Sequence, residues 1–257
     1  MFNFFKKREE PQVEIKETPK VDYENCSEIS QYFEHETGIT FDAQSSILKN
    51  KLILVCKKRD IYSFKELLYD VKQNHNLKQE LINTLTTNET YFYREFKQVS
   101  TLVSLVQKNP KKSIKILCAP SATGEEPYSI VIALLEAGVR KDIEIVGIDI
   151  NSSALAHAKE AIYTQRHIEH LPEMLLHKYF ERKENHFHLK SSVTSKVTFE
   201  QKNIFNDDFK NLGTFDYIFS RNMLIYFPQE RRLQAKKILE NMRNNETEIF
   251  FGHADLI

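Results

Sequence analysis

The chain is expected to be an α/β protein, with a parallel, doubly wound sheet preceded by a small all-helical domain. Three features of the sequence say so. Apolar residues recur at helical spacing from Ser27 to about Gln107. After Pro110 the pattern changes to apolar strands alternating with helices, the signature of a sheet covered on both faces. An excursion between Tyr163 and Ser195 is too long for an ordinary loop and reads as a small inserted element with its own hairpin. Residues 1–25 are rich in Lys, Glu and Pro, lack periodicity and are expected to be a flexible tail. The helical domain is placed at 26–108 and the α/β domain at 109–257, with the insertion at about 163–196.

The elements follow in order. Ile29, Tyr32 and Phe33 share a helix face, and Gly38 can end that helix. Leu48, Leu52, Val55 and Cys56 form the next stripe. Ser63 with Glu66 makes a capping box ahead of Phe64, Leu67, Leu68 and Val71. Leu77, Leu81, Ile82 and Leu85 mark another helix; Val99, Leu102, Val103 and Val106 mark the next, ended by Asn109-Pro110. Strands are expected at Ser113–Cys118, Ile143–Ile150, Val197–Gln201, Phe215–Ser220 and Glu248–His253. Helices are expected at Glu125–Ala137, Ser152–Ala161, Pro172–Phe180 and Pro228–Met242, with the inserted hairpin near Phe187–Leu189.

Composition narrows the function. The 257 residues are 41% hydrophobic and 11% aromatic, which supports a real core. Lys plus Arg equals Asp plus Glu, and a net charge of zero argues against bulk nucleic-acid binding. Cys26, Cys56 and Cys118 form no CxxC pair and point to reduced thiols in the cytoplasm, not a disulfide frame or a zinc site. No apolar run approaches a membrane span, and no signal-peptide core follows Met1. Nine histidines, among them His167, His170, His177, His186 and His188 around the insertion, match no compact zinc spacing and are read as surface residues; no metal is expected.

The most informative stretch is Ile116 to Ser129, a strand running through a loop of small residues into a helix that starts at Gly124. Such a strand–loop–helix opens a nucleotide-binding unit. Its first helical turn carries Glu125, Glu126 and Pro127. Carboxylates suit the positive end of the helix dipole but would repel a pyrophosphate. A nucleoside without phosphates, with a positive centre, is the ligand that fits: S-adenosylmethionine. Glu125 can accept hydrogen bonds from the ligand's α-amino group, or merely compensate the dipole.

Asp149 ends the second strand, roughly 25 residues after Gly124, where such folds grip ribose hydroxyls. Its other reading is the N-cap of the helix that follows. Thr86 to Arg94 joins the helical and α/β parts and is packed with donors and aromatic faces; it lines a cleft, or caps a helix and feeds aromatics to the core. Phe215 to Pro228 leaves a strand at the sheet's carboxyl edge, with Arg221, Asn222 and Tyr226 as candidates. Lys49, Lys51, Lys57, Lys58 and Arg59 make a basic helix that is either a solvated face or a dock for an acidic partner.

Four motifs, in order, carry a resemblance: Thr86–Arg94, Ser121–Ser129, Gly147–Ile150 and Arg221–Phe227. With them the chain resembles the bacterial chemotaxis receptor glutamate methyltransferases, the CheR family. The resemblance implies a Rossmann-like methyltransferase domain behind a helical domain, S-adenosylmethionine as cofactor and S-adenosylhomocysteine as product. It implies methyl transfer to glutamates on the cytoplasmic helices of chemoreceptors by a monomer, with no nucleic acid or membrane insertion. By motif it implies that Asn88, Thr90, Arg94, Glu125, Asp149, Asn203, Ile204, Arg221 and Asn222 bind the cofactor, that Arg94 and Tyr226 lie nearest the transferred methyl, and that the basic helix faces the acidic receptor. The alternative kept beside it is a non-catalytic signalling module that binds S-adenosylmethionine. The chain departs from the family at Ala119-Pro120, in its short insertion, and at Asp255-Leu256-Ile257, where relatives continue into a last strand.

Overall fold

The structure, a computed structural model, describes residues 20–41, 46–244 and 247–255. Residues 1–19 of the expected tail lie outside the described residues, as do 256–257. Residues 22–25, assigned to that tail on composition, are not loose where they meet the fold. Asp22 N–H donates to the Tyr62 carbonyl at 2.8 Å, and the Tyr23 hydroxyl donates to the Ile61 carbonyl at 2.6 Å.

Four helices come first: α1 (Ser27–Thr37), α2 (Ser46–Lys58), α3 (Phe64–Gln73) and α4 (His75–Leu85). Their buried stripes are the ones the periodicity marks. Ser63 Oγ accepts the Glu66 N–H at 3.1 Å, while the Glu66 carboxylate reaches back to the Tyr62 N–H at 3.0 Å. Helix α5 (Phe96–Lys108) follows, then β1 (Ser113–Cys118), α6 (Glu125–Glu136), β2 (Asp142–Asp149) and α7 (Ser152–Glu160). The insertion holds β3 (Ile162–Tyr163), α8 (Gln165–Ile168), α9 (Glu173–Tyr179), β4 (Phe180–Lys183), β5 (His186–Leu189) and α10 (Ser191–Thr194). The chain then returns through β6 (Val197–Gln201), β7 (Tyr217–Ser220), α11 (Gln229–Asn241) and β8 (Ile249–Phe251).

The main sheet is parallel, in the order β6-β2-β1-β7-β8. Strand order reverses beside β1, so the loops after β1 and β7 part there and leave a crevice at the carboxyl edge. The inserted hairpin β4–β5 gains β3 as a third strand, in the order β3-β5-β4. Strand β3 is too short for periodicity to reveal.

Alternation along the strands feeds two cores. Ile114, Ile116, Ile145, Tyr217 and Phe219 pack on one face with α5 and α6. Leu117, Val146, Ile148 and Ile218 pack on the other with α1–α4 and with Ala235 and Leu239 of α11. Helix α5, which the sequence reading counts with the helical part, therefore shares its apolar face with the sheet. Helices α1–α4 form one continuous core with the opposite face. Residues of the helical part also bridge to the sheet's carboxyl edge. Thr40 N–H donates to the Tyr226 carbonyl at 2.9 Å, Asn203 Nδ2 donates to the Glu36 carbonyl at 2.9 Å, and Gln79 Nε2 donates to the Ile150 carbonyl at 3.0 Å.

Gly38 ends α1 at φ +77°, and a Cβ there would sit 2.1 Å from the Phe205 ring. That ring is held by Phe227 (centroids 5.0 Å apart) and by Arg231 (4.9 Å from its centroid). Gly38→Ala should therefore lower stability by about 1–3 kcal/mol through backbone strain and overpacking, read as a fall in the urea midpoint with an unchanged slope.

Candidate active site

The crevice at the sheet's carboxyl edge has two adjoining compartments. The first encloses about 790 Å³ open to solvent, and its apolar lining includes Ile148, Ile150, Ile204, Phe209 and Phe227. Asp149, Asn203 and Asn88 lie among those apolar residues. The second, about 660 Å³, is the more polar of the two, and its lining includes Thr87–Thr90, Arg94, Ser121, Glu126, Arg221, Asn222 and Tyr226 beside Ile225. Thr87, Asn88, Pro120, Ala122, Asn222 and Tyr226 belong to both and form the seam.

Asp149 is 6% exposed. One of its oxygens accepts the Ala122 N–H at 2.9 Å and the other accepts the Asn151 N–H at 2.9 Å. Burial raises its pKa from the ordinary aspartate value, and those backbone bonds oppose the rise. The cap of α7 is Asn151, whose side chain accepts the Ala154 N–H at 2.9 Å. Asp149 is thus not the cap, and each oxygen keeps acceptor capacity for ligand hydroxyls. Asn203 Oδ1 holds the Phe205 N–H at 3.0 Å, which turns the chain after β6 along the first compartment.

In the polar compartment Arg221 is the hub, at 7% exposure. Its Nε donates to the Glu126 carboxylate, and its Nη1 donates to the Arg94 carbonyl at 2.8 Å and lies 3.8 Å from Glu95. Burial pushes Glu126 above the ordinary carboxylate range while Arg221 opposes it. Arg94 itself donates one Nη1 bond, to the Glu89 carbonyl at 2.8 Å, and lies 5.8 Å from the centre of the Tyr91 ring. Among the described residues no carboxylate lies within ion-pair distance of its guanidinium. Phe92 is fully buried and Tyr93 stacks on Phe96 (centroids 4.1 Å apart), so these aromatics anchor the segment that presents Asn88, Thr90 and Arg94.

Glu125 is fully buried and is not among the residues lining either compartment. Both its oxygens accept from Thr123 Oγ1, at 2.9 and 2.7 Å, and Oε1 lies 3.8 Å from His167 Nε2. Burial pushes its carboxyl up to about 7. His167 is half-buried and its Nδ1 accepts the Thr164 N–H at 3.2 Å, which corrects its reading as a surface residue: the insertion folds back over the start of α6. Of the adjacent pair, it is Glu126 that lines the crevice. The charge of the Glu-Glu pair is plain in the sequence, but which of two adjacent helical residues faces the ligand depends on packing.

In the basic helix, Lys51 turns inward to the Leu85 carbonyl at 2.9 Å, Lys58 and Arg59 both bind Glu80, and Lys49 lies 3.5 Å from Glu24. Lys57 is exposed. Among the described residues, no cluster of His, Cys, Asp and Glu is arranged to hold a metal ion, and no helix is long and apolar enough to cross a membrane.

Two buried polar atoms await a partner in this crevice, Ser121 Oγ and Glu126 Oε1. With an apolar compartment beside them and Asp149 at its rim, the donor and acceptor set fits a nucleoside carrying a zwitterionic amino-acid tail. A doubly wound sheet with that crevice defines an S-adenosylmethionine-dependent methyltransferase. The model of the CheR methyltransferase, SAM binding domain, matches residues 88–257, and the chain belongs to that family. It is 35% identical over 222 residues to a chemotaxis protein methyltransferase of Campylobacter jejuni, spanning 86% of this chain and 84% of that one. It is 34% identical over 238 residues to chemotaxis protein methyltransferase 2 of Vibrio cholerae, spanning 87% and 82%.

The buried Glu125 gives a stability prediction with a definite sign. Its folded pKa, about 7, lies above its ordinary 4.5, so it contributes nothing at acid pH and destabilises the fold increasingly as pH rises from 4.5 to 7. Glu125→Gln cannot ionise. Its stability relative to the parent should improve by about 2–3 kcal/mol between roughly pH 5 and pH 8. Parallel curves in urea titrations at the two values would contradict this.

Proposed function

We propose that this chain transfers the methyl group of S-adenosylmethionine to glutamate side chains on the cytoplasmic helices of chemoreceptors, leaving glutamate methyl esters. The observation that carries this reading is Arg94, a cation in a water-accessible polar compartment with most of its donors unused by the chain. It calls for an anionic acceptor, and a planar carboxylate matches a guanidinium fork.

When bound, the cofactor supplies an electrophilic methyl on a cationic sulfur. Asp149 would accept from the ribose hydroxyls, and Ile148, Ile150 and Ile204 would pack on the apolar parts of the nucleoside. Glu126 and Arg94 would face the ammonium and carboxylate of the tail, with Asn88, Thr90, Asn203 and Asn222 adding polar contacts. Glu125 would act behind them by holding Thr123. Tyr226, on the seam, would flank the reacting centre with its ring or its hydroxyl.

No general base is required. A glutamate of ordinary pKa near ~4.3 is already ionised at neutral pH. Its oxygen forms the new bond to carbon as the carbon–sulfur bond breaks, and no proton moves. In agreement, no histidine lines either compartment among the described residues. The chain's contribution is orientation and exclusion of water.

The acceptor surface is proposed to include the exposed face of α2, where Lys57 is the basic residue without an internal partner among the described residues and Ile47 and Leu54 are about two-thirds exposed. The protein is proposed to act as a monomer in the cytoplasm.

Radiolabelled S-adenosylmethionine and membranes carrying a chemoreceptor test the reading: base-labile label on the receptor means a carboxyl methyl ester. Cofactor binding without ester on active receptors would favour the non-catalytic module. Arg94→Ala should lower kcat about 100-fold or more while its melting temperature stays near the parent's. Turnover within twofold of the parent would remove Arg94 from the mechanism.

A further inference from the structure

The loop that carries Asn222 and Tyr226 is tied at its far end by Thr40 N–H on the Tyr226 carbonyl and by Arg232 on the Phe227 and Ile225 carbonyls. Asn222 sits at φ +58°, a left-handed conformation that a non-glycine residue holds only when its surroundings impose it. The short 3₁₀ turn Leu224–Tyr226 follows directly. At the loop's near end, where Asn222 sits, the backbone N–H groups are gathered by one distant carboxylate. Asp255 is 4% exposed, and its two oxygens accept four backbone N–H groups. One oxygen takes Leu224 at 2.9 Å and Ile225 at 3.3 Å; the other takes Asn222 and, at 3.1 Å, Gly252. Burial pushes the Asp255 carboxyl up, and these four bonds pull against that.

The approach is close on both sides. A Cβ on Gly252 would lie 2.9 Å from the Asn222 nitrogen and 2.9 Å from the Asp255 oxygen. The segment bearing Asp255 is itself tied to the start of α5. Gln98 Nε2 donates to the Phe251 carbonyl at 2.8 Å, and His253 Nδ1 lies 3.0 Å from Glu95, whose other neighbour is Arg221. The segment 251–255 thus links the chain just after Arg94 to the loop that starts at Arg221, and it does so from behind the crevice.

We propose that Asp255 is a positioning residue of the methyl-transfer site: by gathering the N–H groups of Asn222, Leu224, Ile225 and Gly252 it holds Asn222 and Tyr226 at the seam between the two compartments. It touches neither compartment itself, so it acts only through the loop. The inference rests on the reading of the crevice as the reaction site, but the order of the loop is measurable without cofactor or acceptor.

The chain contains no tryptophan, so Tyr226→Trp gives a single tryptophan on the loop, excited selectively at wavelengths the tyrosines do not absorb. Adding Asp255→Asn to that variant should shift emission to the red and increase quenching by iodide, because the amide offers one acceptor oxygen and turns donors toward two of the four N–H groups. In the otherwise unaltered chain, Asp255→Asn should lower kcat about tenfold or more, with a smaller change in KM for the acceptor. Gly252→Ala, which pushes the same loop from the other side, should move both readouts the same way. Unchanged emission, quenching and kcat in these variants would overturn the proposal. If they do not fold, amide hydrogen exchange on the parent decides. Slow exchange at Asn222, Leu224 and Ile225 relative to Met223 supports the clasp, and uniformly fast exchange across 222–225 refutes it. A disordered loop in Asp255→Asn with no ester formed by the parent would sink the proposed reaction, not the clasp.

Discussion

The buried pair of Arg221 and Glu126 is the constraint on which the reaction site depends. Arg221 leaves the end of β7, Glu126 lies in the first turn of α6, and the Arg94 carbonyl belongs to the segment that enters α5. One guanidinium therefore joins three parts of the chain that meet where the strand order reverses. Two charges taken out of water are costly, and such a pair adds little net stability over apolar residues of the same shape. Removing one partner is different: it strands the other charge, at about 3–5 kcal/mol. The pair is better understood as a registration device than as a source of stability. It allows a parallel sheet, whose strand ends splay at the reversal, to present Arg94 and Asn222 to the same space.

The helical part completes what the sheet begins. An open doubly wound sheet leaves its carboxyl edge bare, and a ligand there would be covered on one side only. Here α1–α4 share a core with the sheet's second face, so the segments leaving α1 and α4 arrive over the crevice. The bonds from Thr40 to Tyr226 and from Asn203 to Glu36 join that cover to the two loops beneath it. Gly38 lets the cover approach, since Phe205 occupies the space a side chain would need.

Most of this was legible because it is local. The strand–loop–helix at Ile116–Ser129, the Gly38 stop and the Ser63 cap are short-range patterns, and the structure keeps them within a residue or so. The crevice was legible too, since strand ends and loop chemistry placed Asp149, Arg221, Asn222 and Tyr226 at one edge. Contacts made through space were not. Nothing around Asp255 in the sequence shows that it faces a loop roughly 30 residues earlier, because a carboxylate gathering backbone N–H groups leaves no mark on the residues it serves. Glu125 and Glu126 were indistinguishable by type; a turn of about 100° between neighbours on a helix sends one to the crevice and the other behind it. For the basic helix composition gave only a charge count, which does not reveal that Glu80 holds two of its cations.

The charges around the polar compartment explain why a reaction without acid–base chemistry still needs a built site. Arg221 is met by Glu126 and lies near Glu95, so its charge is largely answered inside the protein. Arg94 is not answered in this way. In the proposed reaction an incoming carboxylate would restore the balance, methylation would make it neutral again, and its hold on the guanidinium would weaken as the ester forms. Attraction that fades along the reaction favours release of product, and it would slow the chemistry if the acceptor were gripped too firmly at the start. The rate then depends on how well the acceptor oxygen is aimed and not on how tightly it is bound. A stiff loop at the seam and a guanidinium fixed through its own backbone supply that aim, which is why so much of the hydrogen bonding here ends on main-chain atoms of Arg94, Asn222, Leu224 and Ile225.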